Sequence, residues 1–186
     1  MLAMERRVEK ATDNSRRRKS VVAETAALAV LLKAGQGDLL RELFDPVCVG
    51  SLAWAELLTE ANADLRARLN RASWVKRKMV HADRDRLTEL GLPQSSGESL
   101  TLAALQGFDY LLTDDPDLVA AAARAGVTTI SSVAVLVAAK QRGLIDSVRQ
   151  ALLALIAAGY AFSGWNQYHK ILELAGEEQG EGIDIV

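Results

Sequence analysis

The sequence predicts an α/β fold in which a central parallel sheet is covered by helices on both faces. Three observations carry that expectation. Short apolar runs, at residues 21–23, 47–49, 110–113 and 127–130, are each followed by a longer stretch of helical character. Glycines at 35, 107, 126, 143 and 159 close the helical stretches. The chain has 186 residues, 49% of them apolar, which suits one domain with a sizeable core.

Taken in order, the β-branched pair Val21-Val22 forms a buried strand that opens directly into a helix over 25–32. A short helix over 38–43 precedes a turn at Asp45-Pro46, and 47–49 is the second strand. Continuous helical sequence runs over 52–69 with charges on one face. Residues 74–81 alternate weakly and read as a strand or edge segment; 83–90 read as a helix. Gly91-Leu92-Pro93-Gln94-Ser95-Ser96-Gly97 reads as a loop, and Glu98 starts a helix ending at Gly107. A strand over 110–113 meets the turn Asp114-Asp115-Pro116, and the pattern then repeats as helix 117–125, strand 127–130 and helix 132–141. Helices over 145–158 and 163–175 complete the series.

Charge divides the chain into three parts. Residues 1–19 form a basic leader, 20–176 the domain, and 177–186 an acidic, Gly-rich tail. The first twenty residues hold seven basic and three acidic side chains, which leaves 15 basic and 21 acidic in the remainder, a net of −6. A basic arm on an acidic body fits nucleic-acid binding by the arm; a solvated, flexible leader is the plainer alternative. No apolar run is long enough to span a bilayer and the N-terminus is charged, so a cytoplasmic protein without a membrane partner is expected.

The scarcity of soft ligands narrows the chemistry. Cys48 is the single cysteine and lies in an apolar run, as a buried structural thiol does. His81 and His169 are the only histidines and belong to no spaced ligand motif. Any metal site therefore relies on carboxylates, which favour Mg²⁺, Mn²⁺ or Ca²⁺.

In open parallel sheets ligands sit beyond the carboxyl ends of the strands. Glu24 follows the first strand, and Asp114 and Asp115 follow the strand over 110–113. Glu56 lies about two turns into the helix after the second strand, and Glu98 opens the helix leading to the 110–113 strand. Four acids from separated segments are thereby brought toward one rim. Each has a plainer role as well: Glu98 and Asp115 as helix caps, Glu56 as a solvated helix residue. Glu24 is the hardest to explain that way, because a carboxylate ending a buried strand needs a partner or an ion.

At these residues the chain resembles the PIN-domain superfamily. Val21-Val22-Ala23-Glu24-Thr25-Ala26-Ala27-Leu28 is similar to the family's first strand and the turn after it. Val47-Cys48-Val49 through Trp54-Ala55-Glu56-Leu57 resembles the second strand and the helix bearing a metal-site Glu. Gly97-Glu98 with Leu102-Ala103-Ala104-Leu105 resembles the Gly-Glu helix of a branch of small, predicted nucleic-acid-binding or toxin-like proteins. Leu111-Leu112-Thr113-Asp114-Asp115 matches the Leu-Thr-x-Asp signature of the fourth acid. The likeness runs from about Ser20 to Gly176. Two departures stand out: the first acid is Glu24 where the family usually has Asp, and Ala26 replaces a hydroxyl residue.

The resemblance implies a three-layer α/β/α sandwich and a divalent-metal-dependent endoribonuclease. It gives Glu24, Glu56, Glu98 and Asp115 as catalytic ligands of Mg²⁺ or Mn²⁺, with Thr25 and Thr113 supporting them. It also implies single-stranded or structured RNA as substrate, with a toxin role beside an antitoxin protein, or a homo-oligomer, among the expected settings. A catalytically weakened RNA- or protein-binding module is the alternative, favoured by Glu24. Lys76, Arg77 and Lys78, a basic run beside Trp74, are the expected nucleic-acid contacts; a solvated charged face is the plainer reading. Asp114 stands where the family often has a basic residue and is expected to face solvent.

Overall fold

The computed structural model describes residues 18–60, 63–80, 91–161 and 165–177. Five strands form one wholly parallel sheet in the order β3-β2-β1-β4-β5, comprising β1 (Lys19–Ala23), β2 (Phe44–Gly50), β3 (Val75–Lys78), β4 (Tyr110–Leu112) and β5 (Thr129–Ile130). Among the described residues the helices are α1 (Thr25–Lys33), α2 (Asp38–Leu43), α3 (Ser51–Glu60), α4 (Ala63–Arg71), α5 (Gln94–Gln106), α6 (Pro116–Arg124), α7 (Ser132–Gln141), α8 (Val148–Ala157) and α9 (Trp165–Leu174).

β1 is the central strand, and its composition explains why. Val21, Val22 and Ala23 are wholly buried, as a strand covered on both faces requires. Side chains alternate across the sheet. Val21, Ala23, Val47, Val49 and Leu112 face a core built with α1, α3, α4, α7, α8 and α9, whereas Val22 and Leu111 face α5 and α6. Three layers result, an α/β/α sandwich. The register pairs Val22 with Leu111 and Ala23 with Leu112, so the apolar runs at 21–23 and 110–112 are neighbouring central strands.

Local differences from the sequence expectation have physical causes. The expected turn at Asp45-Pro46 lies inside β2, joined by a cis peptide, because Phe44 already enters the core and meets Tyr110 edge-on at 6.0 Å. The expected loop over 91–97 is largely helix. α5 starts at Gln94 after Pro93, so Glu98 lies a full turn inside the helix and does not open it. Ser95, Ser96, Gly97 and Ser99 are buried there; small side chains that read as a loop are the ones that let this helix pack closely, and Ser99 and Thr101 donate to the carbonyls of Ser95 and Gly97. The helical stretch over 52–69 is two helices, α3 and α4. The helix expected over 83–90 and the start of that expected over 163–175 lie outside the described residues. Lys19 belongs to β1, and Glu177 is fastened by hydrogen bonds from Ser147, Val148 and Arg149.

Candidate metal centre

From β1 the chain moves to β2 and β3 on one side, then crosses back to β4 and β5 on the other. The order reverses between β1 and β4, and such a switch point opens a crevice at the carboxyl ends of the strands. Glu24 stands at it. Its backbone N–H donates to Leu112 O at 3.0 Å, which ties the end of β1 to the end of β4. Its side chain turns back over α1 as the N-cap, accepting from Ala26 N at 3.0 Å and Ala27 N at 3.3 Å. The residue is only 6% exposed. Burial pushes its carboxyl above the ordinary range; the two backbone N–H groups oppose this, and the charges of Glu56 and Asp115 push it up further.

Glu56 reaches the same crevice from the second turn of α3 and accepts from Thr25 Oγ1 at 2.8 Å. Thr25, buried directly after Glu24, therefore orients Glu56. Asp115 follows β4 and caps α6, accepting from Asp117 N at 2.9 Å, with Pro116 at the first helical position. Thr113 is buried, and its hydroxyl accepts from Asp115 N at 3.1 Å, which fixes the bend that presents Asp115. Two hydroxyls thus hold two acids.

Glu98 is placed differently. It is buried in α5, with Oε1 accepting from Ser51 N at 3.0 Å and Oε2 from Leu52 N at 2.7 Å, so its carboxylate sits on the N-terminus of α3. The expectation that Glu98 opens its helix at the rim is corrected accordingly. Asp114 is corrected too. It is partly buried, accepting from Ser132 N at 2.9 Å and Ser132 Oγ at 2.5 Å. Burial raises its carboxyl, against the two Ser132 hydrogen bonds that lower it. The Tyr160 hydroxyl, raised by burial and by the charge of Asp114, is pushed up to about 12. The sequence signal for this cluster is Ser131-Ser132, a hydroxyl pair at the junction of β5 and α7, the first its N-cap and the second its first residue.

The charges of Glu56 and Asp115 both act on Glu24, yet among the described residues no group of three or more His, Cys, Asp or Glu side chains is placed so that it could hold a metal ion. The donor chemistry fits a hard divalent cation: oxygen ligands only, with two acids whose charges push up the carboxyl of a third. Lys76, Arg77 and Lys78 are edge strand β3. Strand alternation splits them between faces. Arg77 lies over the Trp54 ring, 5.6 Å from its centroid, whereas Lys78 donates to Gln106 Oε1 at 2.6 Å and lies 5.4 Å from the Phe108 centroid.

A parallel α/β/α sandwich with carboxylates at its switch point defines the class of protein. The DUF3368 family model, described as a PIN domain, matches residues 20–177, and the chain belongs to that family. A similar solved structure is a PilT N-terminus domain protein from the hyperthermophilic archaeon Sulfolobus solfataricus, at 14% identity and a TM-score of 0.44, covering 77% of this chain and 98% of the other. No curated protein matches. PIN domains are generally nucleases and generally use divalent metals. Among the described residues no helix is long and apolar enough to cross a membrane.

Proposed function

We propose that the chain is a divalent-metal-dependent endoribonuclease of PIN type, with Glu24, Glu56 and Asp115 holding Mg²⁺ or Mn²⁺. The observation that carries this reading is Glu24, a buried carboxylate at the switch point on which the charges of two further carboxylates act. A buried carboxylate facing the charges of two other acids costs stability unless a cation offsets them. A bound ion supplies charge neutralisation of a phosphodiester and a water of lowered pKa. The protein's own contribution is placement: Thr25 holds Glu56, Thr113 holds the turn of Asp115, and α1 holds Glu24. A role as the toxin of a toxin–antitoxin pair is the biological setting we attach to this activity.

The test is cleavage of an end-labelled single-stranded RNA by the purified chain with Mn²⁺, alongside Asp115→Asn. The expected result is metal-dependent cleavage that falls at least about tenfold in the variant, since removing one ligand charge weakens ion binding by that order. Cleavage that survives both chelator and Asp115→Asn sinks the reading. A second reading, a catalytically weakened RNA- or protein-binding module, is favoured by one observation: both oxygens of Glu24 are engaged by α1 N–H groups. RNA binding without cleavage in any divalent ion selects it.

A further inference from the structure

We infer that Glu98 is a positioning residue that anchors the N-terminus of α3, and through it Glu56, and that it does not ligate the ion. The inference rests on the metal-dependent reading above and departs from the ligand role that the family resemblance implies for this acid. The first N–H groups of a helix have no partner within it, and negative charge is favoured at that end. Glu98 supplies both for α3. Its two oxygens take Ser51 N and Leu52 N separately, at 3.0 and 2.7 Å, and the residue is 2% exposed.

The strand that leads into α3 is shaped to admit this carboxylate. Gly50 ends β2, and a Cβ placed on it would lie 2.2 Å from Glu98 Oε2 and 2.7 Å from its Cδ. A side chain at 50 and the present position of Glu98 are therefore incompatible. Ser51 is held a second time, its hydroxyl donating to Lys78 O at 3.2 Å, so the first turn of α3 is tied to both α5 and β3. Five residues further on, Glu56 meets Thr25 at 2.8 Å. Glu98 thus acts on the crevice through the helix it holds.

Length and charge separate the two roles. Glu98→Gln keeps the arm and one of the two hydrogen bonds, its NH2 group standing where the second backbone N–H had an acceptor; Glu98→Asp keeps the charge on an arm one methylene shorter, which withdraws the carboxylate from both N–H groups. Positioning ranks Gln above Asp, and ligation ranks Asp above Gln. The full chain and its variants are titrated with Mn²⁺, free ion being read by electron paramagnetic resonance, and exchange of the Ser51 and Leu52 amides is followed by NMR. We expect Glu98→Gln to bind Mn²⁺ within about threefold of the parent, while Glu56→Gln loses about tenfold or more. In Glu98→Asp the two amides should exchange roughly tenfold faster, the mark of a lost buried hydrogen bond, and Mn²⁺ affinity should fall below that of Glu98→Gln. Gly50→Ala displaces the carboxylate without altering any charge and should reproduce the Asp phenotype, which keeps the test decisive should Glu98→Asp fail to fold. Parent-like Mn²⁺ affinity in Glu98→Asp or Gly50→Ala, with a tenfold loss in Glu98→Gln, overturns the inference. If the parent binds no Mn²⁺, the metal reading fails by itself. The amide exchange then decides the anchor alone, and unchanged rates in Glu98→Asp overturn it.

Discussion

Glu24 has to cap a helix and stand beside two other carboxylates, and these demands pull in opposite directions. Capping favours the charged form, through Ala26 N and Ala27 N; burial and the neighbouring acids oppose it. Glu24→Gln keeps one acceptor for the cap and removes the charge. With chelator present, its melting temperature should equal or exceed the parent's, whereas the parent's rise on adding Mn²⁺ should disappear in the variant. Thermal melts of both proteins with and without Mn²⁺ check this; a Glu24→Gln protein that still responds to Mn²⁺ like the parent removes Glu24 from the ion's ligands. At this scale the positions of Glu24 and Asp115 at strand ends were legible without knowing the pairing, Glu24 as an acid directly after an apolar run and Asp115 through the Leu-Thr-x-Asp pattern. The burial of Asp114 was not legible in that way. Its burial depends on Ser132, eighteen residues on, which reaches it only because β4 and β5 pair. Glu98 raises the same difficulty across 47 residues: nothing near it in the chain signals that α3 begins beside it.

At the scale of elements, helix termini are where this fold is fastened, and α8 shows it most clearly. Its cap is Ser147, but Glu177, beyond the end of α9, accepts from Val148 N at 2.6 Å, Arg149 N at 2.9 Å and Ser147 Oγ at 3.0 Å. Lys140 adds its charge at 3.4 Å, and the Glu177 side chain is 15% exposed. Burial would raise the Glu177 carboxyl, yet the Arg149 and Val148 N–H groups, Ser147 and Lys140 outweigh it and hold the carboxyl below its ordinary value. A depressed folded pKa means that the contribution is fully present above the unfolded value of 4.5 and is lost as pH falls through the folded one. Glu177→Gln should therefore lose about 1–3 kcal/mol at neutral pH, as expected when charged hydrogen bonds are broken, and the gap to the parent should close on acidification. Urea unfolding of the two proteins across that range is the measurement, and a gap independent of pH refutes the assignment. Read as sequence, Glu177 looked like the start of an acidic tail, since composition cannot tell a solvated acid from a capping one. Elements set by hydrophobic runs and terminal glycines, such as α2 and α7, were legible to the residue. Elements whose boundaries depend on tertiary burial, such as the start of α5 and the beginning of β2, were not.

For the whole molecule, one consequence of the sheet bears on how RNA would cross it. In the sequence Lys76, Arg77 and Lys78 form a single basic run; in the fold they are an edge strand, and an edge strand shows alternate side chains to opposite layers. Arg77 pairs in register with Val49 and lies over Trp54 of α3, the helix that carries Glu56. Lys76 pairs with Cys48 on the other face, and Lys78, also on that face, is engaged with Gln106 and Phe108. A strand of RNA whose scissile phosphate is held at Glu24, Glu56 and Asp115 would pass along the α3 side, where the Arg77 guanidinium on the Trp54 ring offers both a charge and a flat surface to an unpaired base. Arg77→Ala should then weaken binding of a single-stranded RNA and reduce the salt slope by about 0.7, the contribution of one phosphate contact on a single strand. Lys76→Ala should leave both nearly unchanged. Trp54→Ala should weaken binding with no change in salt slope, by about 1–3 kcal/mol if one base stacks there. Fluorescence anisotropy of a labelled oligonucleotide at several salt concentrations, with Ca²⁺ in place of Mn²⁺ to hold back cleavage, measures all three. Equal losses for Lys76→Ala and Arg77→Ala would mean that RNA runs along the edge of the sheet and not over α3, because only a path along the edge itself meets side chains from both faces.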